Sequence, residues 1–176
     1  MTGSKYLYEG AIVRLEVADL ALPNGERLRA EVVHHPGGAA AVALDGEGRV
    51  CLLRQYRPVI DAWLWELPAG KRDGAEPPLE TARRELAEEA GRQAADWTPL
   101  GTLWSSPGVF TERIWLYLAR GLTAVPAAAE VHECFEVHWR PLGEALAEAR
   151  GGALCDAKTV VGLCRAAAFL AGDAAG

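Results

Sequence analysis

The stretch GKRDGAEPPLETARRELAEEAGR, from Gly70 to Arg92, carries the most informative pattern in the chain. Apolar residues recur at intervals of three and four between Leu79 and Ala90, which is the periodicity of a helix packed on one side. The double proline at 77–78 suits the first turn of a helix, and Gly91 suits the position just past its end. The stretch therefore predicts a loop followed by one amphipathic helix.

Three glutamates crowd one side of this helix. Glu85 and Glu89 are four residues apart, and Glu88 is three residues from Glu85. Like charges at this spacing repel each other, by roughly 0.2–0.5 kcal/mol per pair. Arg84 can pair with Glu88, so the helix taken alone is better read as a solvated face with compensating charges. The alternative is a site for divalent cations.

The spacing before the helix favours the cation site. Gly70 is followed after five residues by Glu76, and after seven more by Arg84, where the pattern R-E-U-x-E-E-x-G begins (U is a bulky aliphatic residue). The stretch closely resembles the Nudix box, G-x5-E-x7-R-E-U-x-E-E-x-G-U, and departs from it only at Arg92. The resemblance implies the Nudix fold, an α/β/α sandwich, and hydrolysis of a diphosphate linkage.

The same resemblance implies a metal centre. Glu85 and Glu89 would be its central ligands. Glu88 would be a direct or water-mediated ligand with a catalytic role, and the backbone carbonyl of Ala69 would be a further ligand. Mg²⁺ prefers oxygen ligands of this kind, and Mn²⁺ could substitute for it. Bound cations neutralise phosphate charge and activate water, which is what cleavage of a diphosphate requires.

Segments outside the box are similar to the ADP-ribose pyrophosphatase branch of the family. They are ELPAGK before the helix, SSPGVFTER after it, and an acidic loop before FEVHWRPL. This similarity implies a nucleoside diphosphate substrate, ADP-ribose, cleaved to AMP and ribose 5-phosphate. It assigns substrate contacts to Arg29, Arg57, Glu112 and Arg113. For Arg29, a solvated surface arginine is at least as good a reading.

The branch implies a general base in the loop at 130–136. Alignment on the strand that follows places Glu133 on a family glutamate that binds metal or acts in catalysis. Glu130 could fill the second acidic position after a shift of one residue. His132 is an alternative base, although a single loop histidine is more often simply solvated.

The rest of the chain divides into an N-terminal β element and a larger domain. The N-terminal element spans residues 1–36; within it, the residues from about Tyr6 to Val33 alternate loosely around a Pro-Asn-Gly turn, which predicts a small antiparallel element. Residues 37–176 mix strands and helices without a regular βαβ repeat, which predicts an α+β fold with a mixed sheet, in which residues 63–78 are loop-rich. In the resembled branch the N-terminal strands form a homodimer. The alternative is an extra strand pair on a monomer.

Composition restricts the partners and the location. The chain has 176 residues, a net charge of −6 and a pI near 5.3, which argues against binding to nucleic acid or a membrane surface. No apolar run approaches the roughly 20 residues of a membrane span, and the N-terminus lacks the apolar core of a signal peptide. The four cysteines lack metal-ligand spacing, so free thiols in a reducing cytoplasm are expected.

The sequence is also compatible with two other functions. One is a Nudix hydrolase acting on another nucleoside diphosphate sugar or on a dinucleotide. The other, of a different class, is a Nudix-fold module that senses a nucleotide without cleaving it. The complete set of box glutamates disfavours the sensor, because a protein that only binds a nucleotide does not need all of them.

Overall fold

A computed structural model describes residues 5–128 and 134–173 of the protein. The first half of the chain forms seven strands: β1 (Lys5–Glu9), β2 (Arg14–Ala21), β3 (Arg27–His34), β4 (Gly38–Ala43), β5 (Arg49–Arg57), β6 (Ala62–Glu66) and β7 (Ala69–Lys71). The second half forms α1 (Pro78–Ala90), β8 (Arg92–Trp104), β9 (Arg113–Ala124), β10 (Phe135–Pro141), α2 (Leu142–Gly151) and α3 (Ala157–Asp173).

The N-terminal strands form a sheet of their own. β1, β2 and β3 pair in that order and antiparallel, and the hairpin between β2 and β3 turns where the Pro-Asn-Gly signal predicts it. Gly25 adopts a φ of +87° in that turn, a conformation that glycine reaches without strain. The predicted antiparallel N-terminal element is therefore present.

Two further sheets build the larger part of the protein. One has the strand order β7-β4-β9-β8, in which β4 and β9 run parallel and the other neighbours run antiparallel. The other has the order β10-β5-β6 and is antiparallel throughout. The prediction of an α+β fold with a mixed sheet is confirmed.

Helices cover both faces of the layer that these two sheets form. Along β4, Ala40 and Val42 point to a core that is completed by α2 and α3, whereas Ala41 and Ala43 point to a core that is completed by α1. All residues of β4 are buried, as is typical of a strand covered on both sides. The predicted α/β/α sandwich follows from these two cores.

Helix α1 carries the glutamates and is anchored by its apolar stripe. Leu86 is fully buried against the second core, and Ala90 lies beside it at the end of the helix. The helix begins at Pro78, in the double proline expected in its first turn, and its last residue, Ala90, is followed by Gly91, which has a left-handed φ of +59°. Its N–H donates to the carbonyl of Ala87, so Gly91 closes the helix as expected.

The segment at 63–78 is less irregular than predicted. β6 pairs antiparallel with β5, and the short β7 pairs with the start of β4. The sequence predicted a loop-rich segment, but Pro68 lies between the two strands and its carbonyl accepts a hydrogen bond from Ala41 N–H. Long-range pairing overrides the local signal here. Among the described residues, no helix is long and apolar enough to cross a membrane.

Candidate active site

The helix α1, the β5–β6 hairpin, the strand β7 and the beginnings of β4, β9 and α3 surround one cavity. Its volume is about 630 Å³, within the range of small-molecule binding sites. Of the residues with predicted roles, those lining the cavity are Arg57, Ala69, Glu85, Glu88 and Glu112. Elements far apart in the sequence therefore bring most of the described predicted residues to one place.

Gly70 allows Glu85 to lie against the backbone. A Cβ atom at position 70 would overlap Oε1 of Glu85 and would lie 2.7 Å from its Oε2, closer than real Cβ contacts. Glu85 is only 7% exposed, although it lines the cavity. The glycine of the box is therefore required by a close approach of a carboxylate, not by an unusual φ.

Glu89 contacts the backbone next to Gly70, at Ala69, and is not among the described residues that line the cavity. It is 2% exposed, and its Oε2 accepts a hydrogen bond from the N–H of Ala69 at 2.8 Å. A carboxylate is rarely buried this deeply unless it is paired or binds a cation. Because Glu85 and Glu89 are buried, the box helix does not present the fully solvated face that the helix alone suggested.

Arg84 forms hydrogen bonds with three glutamates of the box. Its Nη1 donates to Glu85 at 2.7 Å and to Glu88 at 3.1 Å, and its Nε and Nη2 donate to Glu76 at 3.3 Å. Partial burial alone would lower the pKa of Arg84, but the hydrogen bonds and charges of Glu76 and Glu85 raise it above its usual range. The predicted pair of Arg84 and Glu88 is thus formed as part of a larger network.

The oxygen donors fit a hard divalent cation. Buried carboxylates beside a glycine that leaves no room for a side chain form a suitable donor set. Within residues 5–128 and 134–173, however, no three His, Cys, Asp or Glu side chains converge into a complete metal cage. Arg84 bridges Glu85 and Glu88, and Glu133 lies outside those ranges.

Arg57 enters the cavity from the end of β5. Its Nε and Nη2 donate to the two carboxylate oxygens of Glu66 at 2.7 Å each, a bidentate pair that fixes the guanidinium plane. Lys158 also donates to Glu66. Glu66 is 1% exposed, and burial alone would raise its pKa, but Arg57 and Lys158 lower the pKa to about 2.

Sequence reasoning missed Glu66 and Lys158. Glu66 was placed in a loop-rich segment, and Lys158 stands near the start of a helix with no motif around it. The two side chains are 92 residues apart in the chain and meet only because α3 packs behind the β5–β6 hairpin. The one available signal was the presence of Glu66 in the ELPAGK segment.

The other predicted substrate residues lie at different distances from the cavity. Glu112 lines it, 3.6 Å from Nδ1 of His35, and burial lowers the pKa of His35 although the Glu112 charge opposes this. Arg113 lies outside the lining, over the rings of two tryptophans. Arg29 is exposed on β3, so a single chain does not bring it to the cavity. Glu130, like Glu133, falls outside the described residues.

The ion pairs of Glu66 predict a pH-dependent contribution to stability. Because the folded pKa of about 2 lies below the ordinary 4.5, the contribution is complete above about pH 4.5 and is lost as the pH falls towards 2. Glu66→Gln should therefore lower the free energy of unfolding at pH 7 by about 3 kcal/mol, and the difference from the unmodified protein should shrink below pH 4.5. Urea denaturation at several pH values measures it.

The Glu47→Gln substitution is the control, because the Glu47 carboxylate is exposed and pairs with Arg49 at the surface. Its effect should be small at every pH. A difference for Glu66→Gln that stays constant between pH 7 and pH 3 would contradict the assignment of the low pKa to Glu66.

The fold and the site together define a class of protein in which carboxylates of one helix lie against a close-packed glycine beside a cavity lined by charged side chains of both signs. The chain belongs to the Nudix family, whose domain matches residues 34–159. The chain is 39% identical over 163 residues to the ADP-ribose pyrophosphatase of Mycobacterium tuberculosis, covering 91% of this chain and 79% of that protein.

Two more comparisons agree with this family. The methanol dehydrogenase activator of Bacillus methanolicus is 36% identical over 160 residues, covering 90% of this chain and 86% of that protein. A crystal structure described as an ADP compounds hydrolase has a TM-score of 0.82, covering 97% of this chain and 93% of its own. Its sequence is 23% identical, so it bears on the fold alone, and it confirms the predicted Nudix fold.

Proposed function

We propose that the protein hydrolyses the diphosphate bond of ADP-ribose to AMP and ribose 5-phosphate, with Mg²⁺ as its cation and Mn²⁺ able to replace it. The observation that carries this proposal is the placement of Glu85 and Glu89 around the Ala69–Gly70 backbone at the edge of a cavity of about 630 Å³. The similarity to the ADP-ribose pyrophosphatase of Mycobacterium tuberculosis supports ADP-ribose as the substrate.

We assign different roles in this reaction to different residues of the site. Divalent cations held by Glu85 and Glu89, with Glu88 and the Ala69 carbonyl, would supply charge neutralisation and an activated water. Arg57 would bind the diphosphate, since a guanidinium held in one plane suits phosphate oxygens. Glu112, which also lines the cavity, would contact the substrate.

We assign the general base to the loop at 130–136, with Glu133 as the first candidate and Glu130 as the second. The support is the alignment of this acidic loop on the strand β10, which begins at Phe135 beside the β5–β6 hairpin. A carboxylate there would take the proton of the attacking water. Arg113 is proposed as a contact made from the start of β9.

The N-terminal sheet is proposed to form a homodimer interface, with residues 1–36 as a dimerisation element and 37–176 as the hydrolase domain. Tyr6, Leu7 and Tyr8 of β1 are all more than half exposed, which is unusual for three successive large side chains. A second copy would cover them, and it would also offer a way for the exposed Arg29 to reach a substrate.

Leu7→Glu should convert this dimer to a monomer, because burying a carboxylate without a partner at an apolar interface is strongly unfavourable. Light scattering after gel filtration measures the mass of each variant. Val137→Glu is the control, since Val137 is also exposed but lies on β10, outside the N-terminal sheet. Unmodified protein that elutes with the mass of one chain would contradict the interface.

A cytoplasmic location is proposed from the cysteines. All four thiols are free, and Cys51 is buried in the second core, where burial raises its pKa to about 12. Buried thiols of this kind are inert packing groups, and free exposed thiols suit a reducing compartment.

A panel of nucleotides tests the substrate. The protein is incubated with Mg²⁺ and ADP-ribose, other nucleoside diphosphate sugars, or dinucleotides, and the nucleoside monophosphate and phosphosugar are quantified. We expect ADP-ribose to give the highest kcat/KM. If another compound of the panel is hydrolysed while ADP-ribose stays intact, the protein is a Nudix hydrolase with a substrate other than ADP-ribose. Binding of a nucleotide with no turnover at all would favour the sensor function.

A further inference from the structure

The start of helix α3 is tied to the segment that leads into the box. Lys158 donates to the carboxylate of Glu66, and the N–H of Leu67 donates to the hydroxyl of Thr159 at 2.8 Å. These two links join neighbouring residues of α3 to neighbouring residues of the ELPAG segment. The segment is therefore held from the α3 side by a side-chain ion pair and by a hydrogen bond from its backbone to a side-chain hydroxyl.

Asp156 fixes the position of the lysine. It precedes the first residue of α3 and acts as the N-cap, because its Oδ2 accepts hydrogen bonds from the N–H of Thr159 at 3.0 Å and from its hydroxyl at 2.6 Å. Its Oδ1 accepts a hydrogen bond from Nζ of Lys158 at 3.1 Å. The side chain of Lys158 is 11% exposed, so it is held between two carboxylates and has little freedom to move.

The charges in this cluster balance. Arg57 and Lys158 are cationic, Glu66 and Asp156 are anionic, and all four line the cavity. Loss of the lysine charge would leave two carboxylates against one guanidinium at the wall that the anionic substrate approaches. Of the two cations that pair with the buried Glu66, it would leave Arg57 alone in place.

We propose that Lys158 is a positioning residue for substrate binding, and this rests on the proposed function. By donating to the Glu66 carboxylate, it keeps that carboxylate in the plane in which both oxygens accept from Arg57. The Nη1 nitrogen of Arg57, which Glu66 does not engage, is then directed to the diphosphate. Lys158 thus acts on the substrate through Glu66 and Arg57.

Replacement of the lysine should change KM more than kcat. Lys158→Met keeps the approximate length of the side chain and removes its charge. It should raise KM for ADP-ribose about ten-fold and leave kcat within about two-fold of the unmodified value. The reason is that the affected contact binds the substrate equally in the ground state and in the transition state. Lys158→Arg should restore most of the affinity. Arg120→Met is the charge-matched control, since Arg120 pairs with Asp173 on the surface.

A double-mutant cycle separates positioning from direct contact. If Lys158 acts through Glu66, then Lys158→Met should change KM little in a Glu66→Gln background. An equal rise in KM in both backgrounds would overturn the proposal, because it would mean that the lysine contacts the substrate itself. Melting temperatures of all variants are measured as well. A purely structural lysine would lower them and kcat without a selective rise in KM, and that result would also overturn the proposal.

The affinity for ADP, measured by calorimetry, tests the role of Lys158 separately from the proposed hydrolysis of ADP-ribose. If ADP-ribose is not cleaved but Lys158→Met weakens ADP binding about ten-fold, the function is wrong and the positioning role stands. If ADP-ribose is cleaved and Lys158→Met leaves KM and ADP affinity unchanged, the function stands and the positioning role is overturned. If ADP-ribose stays intact and ADP affinity is unchanged, both are overturned.

Discussion

Glu89→Gln is expected to lower kcat for ADP-ribose by on the order of a thousand-fold, while the protein stays folded. Glutamine has the shape of glutamate, and its carbonyl oxygen can still accept the hydrogen bond from the Ala69 N–H. What the substitution removes is the negative charge at a position that is 2% exposed. Loss of that charge removes the attraction for a divalent cation and leaves the packing of α1 in place.

Glu80→Gln is the matched control for this experiment. Glu80 lies on the same helix, but its carboxylate pairs with Arg83 at the surface, so its loss should change kcat very little. Circular dichroism and the melting temperature show whether each variant is folded. Activity of Glu89→Gln within a few-fold of the unmodified protein would contradict the assignment of Glu89 to the metal centre.

Gly70→Ala is expected to lower kcat/KM by on the order of a hundred-fold, because Glu85 would have to move away from the backbone that it now touches. The added methyl group would overlap the Glu85 carboxylate, and the resulting shift would separate Glu85 from the Ala69–Gly70 peptide. The concentration of Mg²⁺ needed for half-maximal activity should rise in parallel, since a displaced ligand binds the cation less well.

Gly46→Ala is the matched control for the added methyl group. A Cβ at position 46 meets no atom within 4 Å, and the turn between β4 and β5 that contains it is remote from the described lining of the cavity. Its activity should equal that of the unmodified protein. If Gly70→Ala kept both full activity and the normal Mg²⁺ requirement, the packing of Glu85 on Gly70 would have no part in the function.

Local patterns predicted the elements that depend on local interactions. The spacing of Leu86 and Ala90 and the glycine at 91 predicted α1 because helix periodicity and its C-terminal cap involve neighbouring residues. β7, in contrast, has three residues and exists because it pairs with β4. A sequence pattern cannot reveal such a strand, since its hydrogen-bond partners lie some thirty residues away.

The residues of the candidate site also fall into those that local sequence patterns could predict and those that depend on long-range packing. The carboxylates of α1 could be predicted because they stand at fixed distances in one short stretch. The ion pairs of Glu66 with Arg57 and Lys158 could not, since they depend on the packing of α3 behind a hairpin. Burial also changed the reading of the helix. The charge pattern alone suggested a solvated face, whereas Glu85 and Glu89 are buried.

The most direct test of the account is the formation of AMP from ADP-ribose by metal-stripped protein as Mg²⁺ is added back. We predict no product in the presence of excess chelator, and AMP and ribose 5-phosphate in equal amounts once Mg²⁺ is restored. Folded protein that leaves ADP-ribose intact at every Mg²⁺ concentration, or that cleaves it in excess chelator, would contradict the central claim that this chain is a metal-dependent ADP-ribose hydrolase.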